Sequence, residues 1–310
     1  MRRFLNRGRV FFIFAAAAAA TPFAAAATDC AALAAEAEAA RGDAATLASL
    51  HEAALRDCDL AVSAGVARSL GFALFNAARE APEAERLDLL ERAAGFAKDW
   101  RVLAALGAEQ LRRGDRTGAA GNLQAALVVL QEDPPTPPPP REAVERLLAM
   151  ANNARAAAPK YVKAQTTRSG APGGIAADRV AGVEIEAVPF PIEFLFNEAT
   201  PTEDGVFAIG DLAELMAAAA PQLSGKTIVL AGHTDPVGGD AYNLALSEER
   251  AAAVRAALLS VDALSGLDIR AVGCGEASPP RIESPEFYTE EEIHQIMRRV
   301  ELVRSGSPCK

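Results

Sequence analysis

A chain of 310 residues has room for about two domains, and half of it is apolar although aromatic residues make up only 5%. Helices packed through small side chains, with one smaller mixed domain, suit that alanine-rich composition. A formal net charge of -10 excludes non-specific binding to nucleic acid, which requires a basic surface.

Taken in chain order, residues 1–27 read as a secretory signal peptide. Arg2, Arg3, Arg7 and Arg9 form a basic start. Val10 to Ala20 is apolar and led by Phe11, Phe12 and Phe14, Pro22 interrupts the run, and Ala25-Ala26-Ala27 offers a small-x-small cleavage site. An uncleaved anchor is the competing reading, but an alanine-rich run with a proline inserts weakly. Asp29 stands where a lipid-attachment pattern before Cys30 needs a small residue. No later segment reads as transmembrane. Cleavage removes four arginines and takes the net charge from -10 to about -14.

Export changes how Cys30, Cys58, Cys274 and Cys309 read. An even count in an oxidising compartment predicts disulfides, and the absence of CxxC spacing argues against metal or thioredoxin-like chemistry. No metal and no cofactor is expected.

Residues 28–131 carry helical periodicity. Three segments align at a spacing of 36, starting near Thr28, Ala64 and Trp100. The third, Leu103 to Leu127, has Leu106-Gly107 in its first helix, a Gly114-Asp115 turn, and Ala119, Leu123 and Ala126 on one face of its second. This pattern resembles the tetratricopeptide repeat, in which small residues let paired helices pack closely. The aromatic positions of that pattern are mostly aliphatic here, and an unrelated alanine-rich bundle is the alternative. In a hairpin turning at Gly42-Asp43, Cys30 and Cys58 occupy adjacent helix ends, so a disulfide would staple it. Two separate buried thiols are the other reading.

Residues 132–185 are expected to be a linker. Asp133-Pro134-Pro135-Thr136-Pro137 leads into Pro138, Pro139 and Pro140, a stiff extended stretch. A short helix over about Arg141 to Ala158 follows, then a flexible Thr166 to Gly174.

Residues 186–310 alternate strand and helix, giving an α+β chain: all-α repeats first, then a mixed sheet with packed helices of the βαβαβ type. The predicted strands are Pro191–Phe196, Thr227–Ala231, Asp268–Cys274 and Arg299–Val303. The predicted helices are Gly205–Leu223, one capped by Ser247 and ending near Ser260, and Glu290–Ile296. Between them stand Gly232-His233-Thr234-Asp235, Gly238, Tyr242-Asn243, Leu246-Ser247 and Arg250-Ala251. Loops at strand exits gather ligand groups. With Ser247 as N-cap, Arg250 falls in a first helical turn, where its forked donors and the free N–H groups suit a carboxylate. Asp235 comes near it, so one pocket holds an anion and a cation, matched to a zwitterionic ligand.

These residues, with the FNEAT stretch from Phe196 to Thr200, the GxGExxP run from Gly273 to Pro279 and Arg298-Arg299-Val300-Glu301, resemble the OmpA-like peptidoglycan-binding family over roughly Val188 to Val303. The resemblance implies that Asp235 holds the amino group of meso-diaminopimelate and Arg250 its carboxylate. It also implies that Asn243 supports the loop or contacts the stem peptide, that one of Arg298 and Arg299 closes the site, and that Asn197 fills a position usually Asp or Asn. Met297 stands where the family's closing motif begins with Asn, Cys274 replaces an aromatic, and Pro279, Pro280 and Pro285 give an unusual connection. A Cys274–Cys309 pair would join the third strand to the chain end.

His233 reads as structural, because no nucleophile elbow or second catalytic group accompanies it, and an enzyme is not expected. The expected function is noncovalent peptidoglycan binding in the periplasm, at the cell wall or outer membrane. It would tether a helical platform for an unidentified protein partner. The alternative is a periplasmic interaction scaffold whose OmpA-like domain is structural only.

Overall fold

The computed structural model describes residues 29–304 and 307–309. The expected signal peptide, residues 1–27, lies outside them.

Seven helices come first: α1 (Cys30–Ala39), α2 (Ala44–Asp57), α3 (Leu60–Glu80), α4 (Glu83–Phe96), α5 (Trp100–Arg112), α6 (Arg116–Glu132) and α7 (Arg141–Ala156). Their starts are written in aspartate. Asp29, Asp43, Asp59, Asp99 and Asp115 each accept hydrogen bonds from amides of the first turn, satisfying donors that the helix leaves open. Pro82 and Pro140 precede α4 and α7, where a fixed φ favours entry to a helix. The helices pack in sequence, and Gly107 lets α5 close on α6, since a Cβ there would come within 2.6 Å of Leu123 Cγ. The first helices of the three pairs begin at Cys30, Leu60 and Trp100, so the pairs are unevenly spaced, because α3 runs for 21 residues. Among the described residues, α3 alone has the length and apolar composition of a membrane span, and its Val66, Leu70, Ala73 and Leu74 are buried in the core of the first helices.

The Cys30–Cys58 disulfide joins the start of α1 to the end of α2, with the Cα atoms 5.7 Å apart. Cys274 pairs with Cys309 across 5.3 Å and holds the chain end beside the third sheet strand.

Helix α7 lays Val144, Leu147 and Ala151 into the same core as Leu123, Leu127 and Leu130 of α6. The stretch after it, expected to be flexible, runs along α6: Gln165 N donates to Gln124 Oε1 at 3.2 Å and Gly174 N to Gln131 Oε1 at 3.0 Å. Two short strands, β1 (Arg179–Val180) and β2 (Val183–Glu184), pair antiparallel beyond it.

The C-terminal sheet follows: β3 (Ala187–Phe190), α8 (Glu203–Ala218), α9 (Ala220–Leu223), β4 (Thr227–His233), α10 (Asp240–Leu259), β5 (Asp268–Gly273), α11 (Glu290–Met297) and β6 (Arg299–Val303). The strand order is β3-β6-β4-β5, with β4 and β5 parallel and β6 antiparallel to both β3 and β4. Phe190, Leu230, Val300, Leu212 and Val254 meet in the large core that also takes in α6 and α7, so the two halves share apolar packing.

Two expected elements differ. The strand at Pro191–Phe196 is displaced to 187–190, because Pro191 has no N–H to continue the ladder. Residues 193–202 instead fold back on themselves, with Thr202 N on Glu193 O at 3.0 Å and Leu195 N on Thr200 O at 2.9 Å. Helix α10 starts at Asp240 after Gly238-Gly239, so Ser247 lies inside it and not at its cap. Ala241, Leu244, Ala245 and Leu246 are good helix formers, and no glycine or proline breaks the helix before Ser247.

Candidate functional site

Strand β4 can end against α10 only because two glycines lie there. A Cβ on Gly232 would stand 2.1 Å from Ser247 O, and one on Gly273 of β5 2.6 Å from Leu244 O. Ser247 Oγ donates to Leu244 O at 2.8 Å and accepts from Gly275 N at 2.9 Å, fastening the helix to the loop after β5. This contact sets Asp235, at the strand exit, beside the inward face of α10. Arg250 is therefore in the helix's third turn and has no free N–H groups beside it, contrary to the expectation from a Ser247 cap.

A cleft of about 860 Å³ opens there between the strand exit, α10, the folded-back loop and the α11–β6 junction. Asp235, Arg250, Asn243, Asn197, Arg298 and Arg299 all line it. Asp235 is buried. Its Oδ1 accepts from Val237 N at 2.9 Å and its Oδ2 from Arg298 Nη1 at 2.7 Å. Asn243 is buried and donates through Nδ2 to Asp235 O at 3.3 Å and to Glu276 Oε2 at 2.6 Å, so it braces the aspartate's loop. Asn197 sits at the exposed rim in the left-handed region, with φ of 56°, a conformation that Asn tolerates.

Arg250 is 7% exposed. Its Nε donates to Glu198 O at 3.1 Å and its guanidinium lies 5.0 Å from the ring of Phe194. Among the described residues no carboxylate forms an ion pair with it. Burial and the nearby charge of Arg298 both push its pKa down. Arg298 bridges Asp235 and Glu291, with Nη2 on Glu291 Oε1 at 2.5 Å. Burial disfavours its charge, but the two carboxylates outweigh that and raise its pKa.

Arg299 is buried behind the cleft. It donates to Glu301 Oε1 at 2.7 Å, Met297 O at 3.1 Å and Ser278 O at 2.9 Å. His233 faces the same carboxylate, with Nε2 3.5 Å from Glu301 Oε2. Burial, reinforced by Arg299, keeps the pKa of His233 below its ordinary 6.5. For Glu301, burial alone would raise the pKa, but the His233 and Arg299 contacts bring it to about 2. The Arg298-Arg299 pair thus divides: Arg298 faces Asp235 and Arg299 faces the floor beneath.

Sequence reasoning does not single out Phe194, Glu198 or Glu276. Phe194 is hidden by the reading of its segment as a strand, and Glu198, inside the FNEAT stretch, takes part only through its backbone carbonyl, which no side-chain motif announces. Glu276 stands inside the GxGExxP run, where its spacing from Asn243 carries no local signal. Thr234 also lines the cleft, with a buried hydroxyl that has no hydrogen-bond partner.

A mixed sheet with a charged cleft at the exit of an inner strand, walled by a helix and a folded loop, defines the C-terminal α+β domain. Residues 194–287 match the model of the OmpA family, so this part of the chain is an OmpA family domain. Over 99 residues it is 37% identical to outer membrane porin F of Pseudomonas aeruginosa, covering 32% of this chain and 27% of that protein. Over 86 residues it is 40% identical to outer membrane protein A of Escherichia coli O157:H7, covering 28% of this chain and 24% of that protein. The chain therefore spans about a quarter of the length of these relatives. Among solved structures, the peptidoglycan-associated lipoprotein from Burkholderia pseudomallei is 30% identical, with 36% of this chain and 86% of that chain covered and a TM-score of 0.28.

Proposed function

We propose that the cleft binds peptidoglycan noncovalently through the meso-diaminopimelate of its stem peptide. The observation that carries this reading is Arg250, a buried cation with no carboxylate partner among the described residues, a few side chains from an aspartate. A buried cation that no carboxylate contacts is costly even with the attraction of Asp235 nearby, and a ligand carboxylate would relieve that cost. The free end of meso-diaminopimelate is zwitterionic, so its carboxylate suits the fork of Arg250 and its ammonium suits Asp235. Arg298 already touches Asp235 and would close over the ligand with Glu291 behind it. Asn243 keeps the aspartate's loop in place, and Asn197 meets the ligand at the rim. Arg299 acts beneath, through the floor.

The basic and apolar composition of residues 1–27 and the outer-membrane names of the relatives support an exported, envelope-associated protein. The sheet domain would then tether the paired helices, as a platform for another protein, to the cell wall. A scaffold whose sheet domain is structural only is the alternative, favoured by the Arg298–Asp235 ion pair that already occupies one carboxylate oxygen.

Sedimentation with purified diaminopimelate-containing sacculi separates the two. The full chain is expected in the pellet, and Asp235→Ala and Arg250→Ala in the supernatant. Wild-type protein that stays in the supernatant defeats the binding reading.

A further inference from the structure

Helix α11 carries two adjacent glutamates that serve different parts of the molecule. Glu291 pairs with Arg298 at the cleft. Glu292 receives the guanidinium of Arg116, the first residue of α6, in a two-pronged contact of 2.8 and 3.1 Å. The same guanidinium donates to Leu111 O at 2.6 Å and to Phe287 O, and lies 4.9 Å from the ring of Tyr288. Arg116 is 7% exposed. Its place is a poor one for α6, because a cation at a helix N-terminus opposes the helix dipole. The cap there is already supplied by Asp115, which accepts from Gly118 N at 2.9 Å. What offsets the placement comes from the C-terminal half of the chain, in α11 and the loop before it.

Helix α11 has eight residues, too few to hold by itself. Its supports are the Thr289–Glu292 capping box, the packing of Ile293 and Ile296 on the core, its contact with α7 and the contact from Arg116. Its last turn delivers Arg298, whose amide donates to His294 O at 3.0 Å and whose side chain stands over Asp235. The anchor and the cleft are thus two ends of one short rod, about 12 Å long at the helical rise.

We infer that Arg116 is a positioning residue for the cleft: through Glu292 and α11 it sets where Arg298 stands over Asp235, so the helical half governs closure on the ligand. The inference rests on the binding reading above and adds the regulation of that site. Linkage makes it reciprocal, so a ligand that engages Arg298 tightens the hold of α6 on α11.

The test uses the full chain and a stem tripeptide bearing meso-diaminopimelate, titrated calorimetrically into wild type, Arg116→Gln, Arg298→Gln and the double variant. Arg116→Gln is expected to weaken binding about five- to tenfold, and to weaken it no further once Arg298 is glutamine. A general packing role would multiply the two losses, and that outcome, or wild-type affinity in Arg116→Gln, overturns the inference. Hydrogen exchange without ligand reads the anchor separately: amides of residues 293–298 must exchange faster in Arg116→Gln, and unchanged protection also overturns it. A wild-type chain with no affinity for the tripeptide defeats the binding reading, while the exchange experiment still decides on Arg116. Should Arg116→Gln not fold, Glu292→Gln removes the same contact from the other side and must give the same result.

Discussion

Arg155 and Arg250 are both nearly inaccessible, yet their surroundings are opposite. Arg155 lies at the seam where α7 meets the sheet domain. It donates to Val162 O at 2.7 Å, Pro189 O at 3.2 Å, Tyr161 Oη at 2.6 Å and Asp211 Oδ2 at 3.3 Å, and the rings of Tyr161 and Phe190 cover its faces. Asp211 in turn accepts from Tyr161 Oη and from Ala164 N at 2.9 Å. Arg250 has one carbonyl and one ring. A buried arginine whose fork is filled by its own chain is part of the architecture. One that meets a cleft with its fork largely open has donors that the other described residues leave unused. The degree to which a buried charge is satisfied, more than its burial, separates the two roles.

The largest effect that can test this contrast is at the seam. Arg155→Ala leaves Asp211 buried without its cation and is expected to cost about 3–5 kcal/mol in urea unfolding. A loss below about 1 kcal/mol would place Arg155 with ordinary surface pairs and remove the distinction.

The floor of the cleft is an intermediate case, because Arg299 is filled by Glu301 and two carbonyls, whereas His233 only approaches Glu301 at 3.5 Å and neither of its ring nitrogens has a hydrogen-bond partner among the described residues. Their titration sharpens the comparison. His233 in the folded chain has a pKa below its ordinary 6.5, so the unfolded chain takes up a proton first as pH falls. Stability should therefore begin to drop below pH 6.5. Glu301 contributes stability that is fully present above its ordinary 4.5 and is lost as pH falls towards its folded value of about 2. Unfolding free energies measured from pH 7 to pH 3 should show both segments. His233→Asn is expected to flatten the upper one, and Glu301→Gln the lower. A wild-type profile that is level from pH 7 to pH 4 would show that the floor is not held by these charges.

Much of the cleft is legible in the sequence because its parts lie close together along the chain. Gly232 to Asp235, Asn243 and Arg250 fall within one strand–loop–helix unit, and the close packing of Gly232 on Ser247 brings them face to face. Three of the four sheet strands can be read from short apolar segments in place, whereas the first, read from the alternation of Pro191–Phe196, lies earlier, at Ala187–Phe190. The start of α10 is easily misplaced because Ser247 has the chemistry of a cap, but its hydroxyl instead receives Gly275 N. The seam leaves no local trace. Arg155 and Asp211 are 56 positions apart and Arg116 and Glu292 are 176 apart, so neither periodicity nor motif spacing announces them. The linker between the halves reads as a spacer from its prolines, whereas the apolar face of α7 that docks it on α6 is an ordinary amphipathic pattern with no stated partner.

The smallest expected effect on stability is also the one that most directly tests the contrast. Arg250→Met keeps the length of the side chain and its packing on Phe194 but removes the charge. It loses one hydrogen bond to Glu198 O and the ring contact, together about 1 kcal/mol, and it also lifts the cost of burying an unpaired cation. The two effects oppose each other, so the net change in unfolding free energy should lie within about 1 kcal/mol of zero. Retention on sacculi should nevertheless be lost. If Arg250→Met instead destabilises the chain by the several kcal/mol expected of Arg155→Ala, then Arg250 belongs to the architecture as fully as Arg155 does. The open fork would then no longer argue for a ligand. Stability kept and sedimentation lost in the same variant is a result that a purely structural arginine cannot give.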